Sequence, residues 1–324
     1  MSRHESGRRR QISFGELHEH VRVFAAALKR EGVVPGDRVA AFLPNCAEAV
    51  IGMLAASSLG ATWSSCSPDF GLNGVLDRFG QIEPTVLIAC DGYRYGGKPV
   101  DTMDRVAQIE AALPGLKRLV VVPYLESRPN LSRFRDAVFF DDYRADEPLE
   151  FAQLPFDHPL YVMYSSGTTG KPKCIVHGAG GTLLQHVKEL GLHTDLHADD
   201  TLFYYTTCGW MMWNWQVAGL ALGATLVLYD GSPFHPEPTR LIDLIDAEVI
   251  SIFGTSAKFI AALEKAGVKP RERHELLSLK AILSTGSPLA HESFEYIYRD
   301  DAYNPSNTSQ VVNQLVLEDE VFAI

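Results

Sequence analysis

The chain has 324 residues, of which 46% are hydrophobic and 21% are charged. These fractions lie near the globular average, so they argue against intrinsic disorder and provide enough apolar residues for a core. The 29 Lys and Arg residues against 40 Asp and Glu residues give a formal net charge of −11. This balance argues against a broad basic surface for nucleic acid.

The five cysteines are widely spaced, odd in number and form no CxxC pair. This spacing argues against a disulfide framework or a structural zinc site, and we interpret the cysteines as small buried residues of a reducing compartment. No apolar run reaches the roughly 18 residues of a membrane span, and the N-terminal segment has no apolar stretch for a secretory signal. We therefore expect a cytoplasmic protein, with the arginines at 8–10 as a solvated surface run.

The first part of the chain alternates helix and strand patterns. Ser13 and Glu16 have the spacing of a capping box, before a helix that ends near Gly32. Short apolar runs bounded by turns predict buried strands, and amphipathic windows between them predict helices. The strands are expected near 39–43, 85–89 and 119–122, and the helices near 46–59, 71–82 and 101–112.

Residues 123–157 are poorer in pattern and richer in Pro, Arg and Asp. We interpret them as an irregular connection and a weak subdomain boundary. Beyond them the alternation resumes, which predicts an α/β fold with two mainly parallel sheets flanked by helices. Strands are expected near 160–164, 202–206, 224–229, 248–253 and 279–284, and helices near 182–191, 239–246, 256–266 and 290–299.

The last stretch, 301–324, differs from the rest of the chain. It is polar and rich in Asn and Ser, and it ends in acidic and apolar residues. It fits neither a strand of the alternation nor a capping helix. We expect it to be either disordered or foreign to the fold.

The segment with the most chemistry is YVMYSSGTTGKPK, at 161–173. An apolar strand runs into two serines, two threonines, two glycines and two lysines. Glycines let backbone N–H groups approach an anion, hydroxyls donate to phosphate oxygens, and lysines supply positive charge. The composition predicts a phosphate-binding loop, and an ordinary polar loop is the alternative.

Two common nucleotide-binding motifs do not fit this loop. A Walker A motif requires glycine where Ser165 stands, and Ser or Thr where Pro172 follows the lysine. Pro172 also argues against a helix that begins directly after the loop. A Rossmann fingerprint starting at Gly178 would need a glycine at the position of Leu183.

The decapeptide YSSGTTGKPK resembles the signature loop of the AMP-forming adenylating enzymes, which include acyl-CoA synthetases, luciferases and peptide-synthetase adenylation domains. The segments RRRQISFGELHEHV, TLFYYTTCGWMMWNW and GLALGATLVLYDGSPFHP resemble the acetoacetate-activating branch of that family. The resemblance implies a partial AMP-binding domain over 1–300. It also implies ATP-dependent conversion of acetoacetate to an adenylate and then to acetoacetyl-CoA, with release of pyrophosphate and AMP.

The same resemblance implies roles for individual loop residues. Thr168 and Lys171 are expected to act in catalysis, with Thr168 also holding Mg²⁺, and Lys173 adds positive charge. The residues expected to hold the β- and γ-phosphates of ATP are Ser165, Ser166, Gly167, Thr168, Thr169, Gly170 and Lys171.

Two further segments acquire roles only through the resemblance. Gly286, Ser287 and Pro288 match the adenine-binding turn of the family, and an ordinary turn after a strand is the alternative. The aromatic and Met-rich segment after Gly209 matches the acyl pocket, and core packing is the alternative. Its candidate pocket residues are Trp210, Met211, Met212, Trp213 and Asn214, with Asn214 as the donor to the keto oxygen.

The resemblance stops near Arg299. The acidic Gly/Thr-rich motif, the ribose-binding Asp and the small C-terminal domain of the family do not follow it. We therefore expect a truncated large domain with little or no ligase activity alone. Another short-chain acyl-CoA synthetase and a non-catalytic nucleotide-binding fragment remain the alternatives. The implied small molecules are acetoacetate, ATP, Mg²⁺ and coenzyme A.

Overall fold

The computed structural model describes residues 1–165 and 170–288. The strands of the described residues are β1 (Ser2–His4), β2 (Arg9–Arg10), β3 (Arg38–Phe42), β4 (Thr62–Cys66), β5 (Val86–Cys90), β6 (Gly92–Tyr95), β7 (Lys98–Asp101), β8 (Arg118–Val122), β9 (Ala137–Phe139), β10 (Pro159–Tyr164), β11 (Cys174–Gly178), β12 (Thr201–Tyr204), β13 (Thr225–Asp230), β14 (Ile252–Ser256) and β15 (Ala281–Thr285). The α-helices are α1 (Phe14–Arg30), α2 (Ala47–Ser58), α3 (Leu72–Ile82), α4 (Met103–Ala112), α5 (Ala179–Lys188), α6 (Met211–Ala218), α7 (Arg240–Glu248) and α8 (Ala257–Lys265).

Two large sheets organise these elements, which confirms the predicted α/β class. One sheet has seven strands in the order β11-β10-β4-β3-β5-β8-β9, and the other has six in the order β15-β14-β12-β13-β1-β2. Their pairs are parallel except for β10 with β11 and β1 with β2. Strands β6 and β7 form a separate antiparallel hairpin.

Helix α1 begins as its sequence predicts. The Ser13 side chain accepts from the Glu16 backbone N–H at 3.2 Å, and the Glu16 carboxylate accepts from the Ser13 N–H at 2.7 Å. This reciprocal pair satisfies two backbone donors that the first turn leaves free. Val21, Phe24 and Leu28 follow at helical spacing and are buried.

The two sheets share one hydrophobic core. Trp63 and Ile88 from the seven-stranded sheet belong to the same buried cluster as Leu202 and Leu226 from the six-stranded sheet. Helices α1, α2 and α6 also contribute buried side chains to this cluster. The shared core places the two sheets against one another and fixes how their strand ends meet.

The prediction for the N-terminal arginines was wrong in one respect. The segment forms a hairpin in which β1 pairs with β13 and β2 pairs with β1. Arg8 and Arg9 are exposed as predicted, but Arg9 is also paired with Glu248, and the half-buried Arg10 is paired with Glu48. The acidic partners come from distant parts of the chain, so the local run of arginines does not reveal them.

Several smaller predictions also differ from the structure. The strand expected from 248 begins at Ile252, because α7 continues to Glu248 and Val249 then adopts a left-handed conformation. The segment 123–157 contains β9, and its role as a subdomain boundary stays a prediction. Cys174 is exposed, whereas the other four cysteines are buried as expected. The helix expected at 290–299 and the tail 301–324 lie outside the described residues.

Candidate functional site

The predicted phosphate-binding loop joins β10 to β11 at the edge of the seven-stranded sheet. Its centre, Ser166, Gly167, Thr168 and Thr169, lies outside the described residues. The Ser165 N–H donates to the Lys173 carbonyl at 3.0 Å, which closes the loop at its base. Gly170, Lys171 and Lys173 are exposed. A strand follows the loop, in agreement with the expectation that Pro172 prevents a helix there.

Neighbouring elements hold the base of this loop. The Tyr164 hydroxyl and the Ser64 Oγ are 3.0 Å apart, and Ser64 donates to the Val162 carbonyl at 3.0 Å. Burial raises the pKa of the Tyr164 phenol, so it keeps its proton and donates to Ser64. On the other side of the loop, Gln81 Nε2 donates to the Pro172 carbonyl at 2.9 Å.

Sequence reasoning did not identify these supporting residues. Gln81 occupies the polar side of amphipathic helix α3, where a glutamine usually indicates only solvent exposure. Ser64 lies inside a fully buried strand that the apolar pattern did not predict. Their contacts with the loop arise from tertiary packing and leave no local signal.

The predicted adenine-binding turn follows β15, the edge strand of the six-stranded sheet. Gly286 has φ +95°, a left-handed conformation that glycine adopts without strain. Ser287 and Pro288 are exposed beside it. The turn lies at the carboxyl end of a parallel strand, the end at which open α/β sheets bind ligands. An ordinary turn has the same geometry, so the adenine role stays a prediction.

The predicted acyl segment forms the start of α6. Trp210 is 58% exposed and Met211 is 41% exposed, whereas Met212, Trp213 and Asn214 are buried. The Trp213 Nε1 donates to Asn45 Oδ1 at 3.0 Å, so this indole is packed with its polar group satisfied. Trp210 and Met211 therefore present an accessible apolar surface, while the residues after them anchor the helix.

A short segment after β12 joins the acyl segment to the seven-stranded sheet. Asn45 donates to the Thr206 carbonyl at 3.3 Å, and Ser65 donates to the Cys208 carbonyl at 2.6 Å. The Cys208 thiol donates to the Leu43 carbonyl at 2.8 Å. Burial raises the pKa of this thiol well above its ordinary value, so it remains a donor. These bonds hold the start of α6 against the sheet that carries the phosphate loop.

Within residues 1–165 and 170–288, no group of three or more His, Cys, Asp and Glu side chains is arranged to hold a metal ion. The predicted Mg²⁺ ligand, Thr168, lies outside these ranges. In the same described part of the chain, no helix has both the length and the apolarity needed to cross a membrane.

Comparison with known proteins agrees with this arrangement. The family model described as AMP-binding enzyme matches residues 3–300. The chain is 52% identical over 297 residues to acetoacetyl-CoA synthetase of Mus musculus, with 89% of this chain and 44% of the relative covered. It is 51% identical over 293 residues to acetoacetyl-coenzyme A synthetase of Rhizobium meliloti (strain 1021), with 89% and 45% covered.

A solved structure supports the same fold. Acetoacetyl-CoA synthetase from Streptomyces lividans matches with a TM-score of 0.86 at 44% sequence identity. The match covers 90% of this chain and 45% of that one. The chain thus spans less than half the length of the relatives that it matches.

Proposed function

The chain belongs to the family of AMP-binding enzymes, and from this premise we propose that it carries the ATP and acyl sites of an acetoacetate–CoA ligase. The observation that supports the acetoacetate assignment is the 52% identity to a synthetase of that name over 297 residues. The exposed loop residues Gly170, Lys171 and Lys173 and the exposed start of α6 supply surfaces of the required chemistry.

The proposed reaction has two steps. A carboxylate oxygen of acetoacetate attacks the α-phosphorus of ATP, the bond to the bridging oxygen breaks, and pyrophosphate leaves with that electron pair. The sulfur of coenzyme A then attacks the acyl carbon. The acyl–oxygen bond breaks, AMP leaves, and the thiol proton passes to solvent.

The loop residues Ser165 to Lys171 supply donors to the β- and γ-phosphates in this proposal. Lys171 and Lys173 are exposed and cationic, so they neutralise charge that develops on the leaving pyrophosphate. Mg²⁺ binds oxygen ligands and usually keeps several waters beside substrate phosphates, and the Thr168 hydroxyl is the oxygen ligand that this proposal assigns to the chain. When bound, the ion would polarise the phosphate oxygens.

The acyl end of the site lies at Trp210 and Met211 in this proposal. Both side chains are exposed, and the backbone between them begins helix α6. A small acid that reaches this point meets apolar side chains. The Asn214 amide is the proposed donor to the keto oxygen.

MgATP binding tests the phosphate site without requiring the complete reaction. Calorimetry should show that Lys171→Met weakens MgATP binding about tenfold, because a charge-assisted hydrogen bond to phosphate is lost. Lys188→Met, an exposed lysine at the end of α5, is the matched control and should bind as the unaltered chain does. Equal affinity in the Lys171→Met variant would contradict the assignment of the loop.

Exchange of labelled pyrophosphate into ATP tests the acid. Exchange that depends on acetoacetate and exceeds that with acetate supports the proposal. Faster exchange with acetate would assign the chain to another short-chain acyl-CoA synthetase. MgATP binding without exchange for either acid would indicate a nucleotide-binding chain that does not catalyse the first step by itself.

A further inference from the structure

A small cavity lies between one face of the seven-stranded sheet and helix α6. Its volume is about 10 Å³, which is about the space that a single water molecule needs. The residues that line it are Trp63, Ser65, Tyr161, Val162, Met163, Cys208, Gly209 and Asn214.

Two of these residues carry buried polar atoms without a hydrogen-bond partner, the Trp63 Nε1 and the Asn214 Oδ1. The Tyr161 hydroxyl is buried as well, and Thr182 lies close to it. Leaving a buried polar atom unsatisfied costs free energy, so native structures rarely tolerate one. Two such residues on the lining of one cavity indicate a partner that serves both.

The strand register explains why these side chains meet. Trp63 on β4 and Tyr161 on β10 are direct neighbours in a parallel pair. Met163 lies two residues farther along β10 and so shares the face of Tyr161. From the opposite side, the Asn214 Nδ2 on α6 lies 3.6 Å from the Met163 Sδ. The Asn214 amide therefore lies over the strip of sheet that holds both aromatic residues.

We propose that this cavity holds one structural water, bound between the Trp63 indole and the Asn214 amide. The water accepts from the Trp63 N–H and donates to the Asn214 Oδ1. The water forms a further hydrogen bond with the Tyr161 hydroxyl. Since Thr182 also lies near that hydroxyl, the indole and the amide are the two defining partners. A buried water normally has two to four polar partners, and the indole and the amide supply two.

The water has a positioning role that does not depend on the proposed reaction. It connects β4, β10 and α6 directly behind Gly209, the residue before Trp210. It also fixes the orientation of the Asn214 side-chain amide, and so the positions of its oxygen and its nitrogen relative to the sheet. Two strands of the phosphate-loop sheet and the acyl segment are thereby joined through one molecule.

A crystal structure of the chain at a resolution that shows ordered solvent is the direct test. We expect a density peak within about 2.7–3.2 Å of the Trp63 Nε1 and the Asn214 Oδ1. A cavity without density, or a direct bond between the indole and the amide that closes it, would overturn the proposal. This result is independent of any MgATP or exchange measurement.

A double-mutant cycle tests the shared water in solution. Trp63→Phe and Asn214→Leu should each raise the unfolding equilibrium constant about tenfold. Either change removes the same water. The unfolding equilibrium constant of the double variant should therefore rise by much less than the product of the two single increases. Tyr161→Phe serves as a second partner for the cycle if Asn214→Leu does not fold.

The matched control for that cycle pairs Trp63→Phe with Tyr229→Phe. The Tyr229 hydroxyl is buried in the six-stranded sheet and donates directly to the Ser232 carbonyl at 2.9 Å. In this control pair, the two fold-increases in the unfolding equilibrium constant should multiply. If the fold-increases for Trp63→Phe and Asn214→Leu also multiplied, the result would contradict a common water.

Discussion

At the scale of single residues, the arginines near the N-terminus show that identical side chains close in sequence can have different ion-pair partners in the fold. Arg3 and Arg9 both donate to Glu248, whose side chain is fully buried. Arg8 is exposed on the same hairpin. Burial alone raises the pKa of the Glu248 carboxyl, but the hydrogen bonds from Arg9 and Arg3 outweigh it and lower that pKa.

Removing Arg3 tests this ion pair. Arg3→Met should lower the free energy of unfolding by about 2 kcal/mol, because a buried carboxylate loses a charged donor. Arg8→Met should change it by less than about 0.5 kcal/mol, as expected for an exposed side chain that pairs with no carboxylate of residues 1–165 and 170–288. Urea unfolding of the two variants makes the comparison, and equal losses would contradict it.

A second feature at this scale is a pair of titratable groups, His4 and Asp230, that both contact Tyr124. Their contributions to the free energy of unfolding depend on pH with opposite signs. The His4 ring stacks on Tyr124 at 4.7 Å between centroids, and the Tyr124 hydroxyl donates to Asp230 at 2.9 Å. Burial lowers the pKa of His4 from 6.5 to about 4. Burial also raises the pKa of Asp230 from 3.8 to about 7.

The signs of the two contributions follow from linkage. Asp230 holds a proton in the folded state that the unfolded state releases, so its contribution to stability falls as pH rises from about 4 to about 7. His4 is neutral when folded and protonated when unfolded, so its contribution rises from about pH 4 to about 6.5. Each slope is at most about 1.4 kcal/mol per pH unit, and the two oppose one another.

Single substitutions should reveal how each group changes the free energy of unfolding with pH. Relative to the unaltered chain, Asp230→Asn should gain stability as pH rises from 4 to 6.5, and His4→Phe should lose it. Asn73→Ala, at an exposed residue of α3 that has no titratable group, is the control and should leave the profile unchanged. Urea unfolding at several pH values provides the measurement. A shift of the same sign in both variants would refute the assignment of the two groups.

At the scale of elements, sequence patterns located strands and helices where burial is locally encoded. The apolar runs of β3, β5 and β8 are buried along nearly their whole length, as continuous hydrophobic strands of a parallel sheet should be. Helix α6 was not predicted, because its side chains are apolar on most faces and show no amphipathic period. The phosphate-binding loop was predicted from its composition and stays a prediction, whereas Ser64 and Gln81 at its base could be found only from the fold.

The boundary between α7 and β14 illustrates a limit of periodicity. The apolar residues Val249, Ile250 and Ile252 suggest one continuous strand, yet α7 ends at Glu248, Val249 is its C-cap, and the strand begins only at Ile252. Val249 ends the helix with φ +54°, a left-handed conformation that is strained for a β-branched residue. Pattern reasoning does not detect a helix end without a glycine.

Val249→Gly should therefore stabilise the protein. Its side chain is 65% exposed, so little packing is lost, and relief of left-handed strain is worth about 1 kcal/mol. Val34→Gly, at another exposed valine whose φ is not positive, should instead destabilise through chain entropy. Thermal unfolding compares the two, and a loss of stability in Val249→Gly would show that the turn is not strained.

At the scale of the whole molecule, the two sheets form one packed body in the described residues. Their shared core includes residues of β3, β4, β12 and β13, and the bonds through Asn45, Ser65 and Cys208 cross between the sheets. Phe140 and Tyr143 from the segment 123–157 are buried against Phe24 of α1. This packing favours a single cooperative unit, and the subdomain boundary at 123–157 stays a prediction.

Cooperativity can be measured separately in the two sheets. Native-state hydrogen exchange should give the same opening free energy for core amides of β5 in one sheet and of β13 in the other, because neither sheet can expose its face without opening the common core. Frayed amides of β11, at the edge of the seven-stranded sheet, should exchange through smaller openings and serve as the internal control. Distinct free energies for β5 and β13 would mean that the sheets unfold independently. The bonds through Asn45, Ser65 and Cys208 would then contribute little to joining the two sheets.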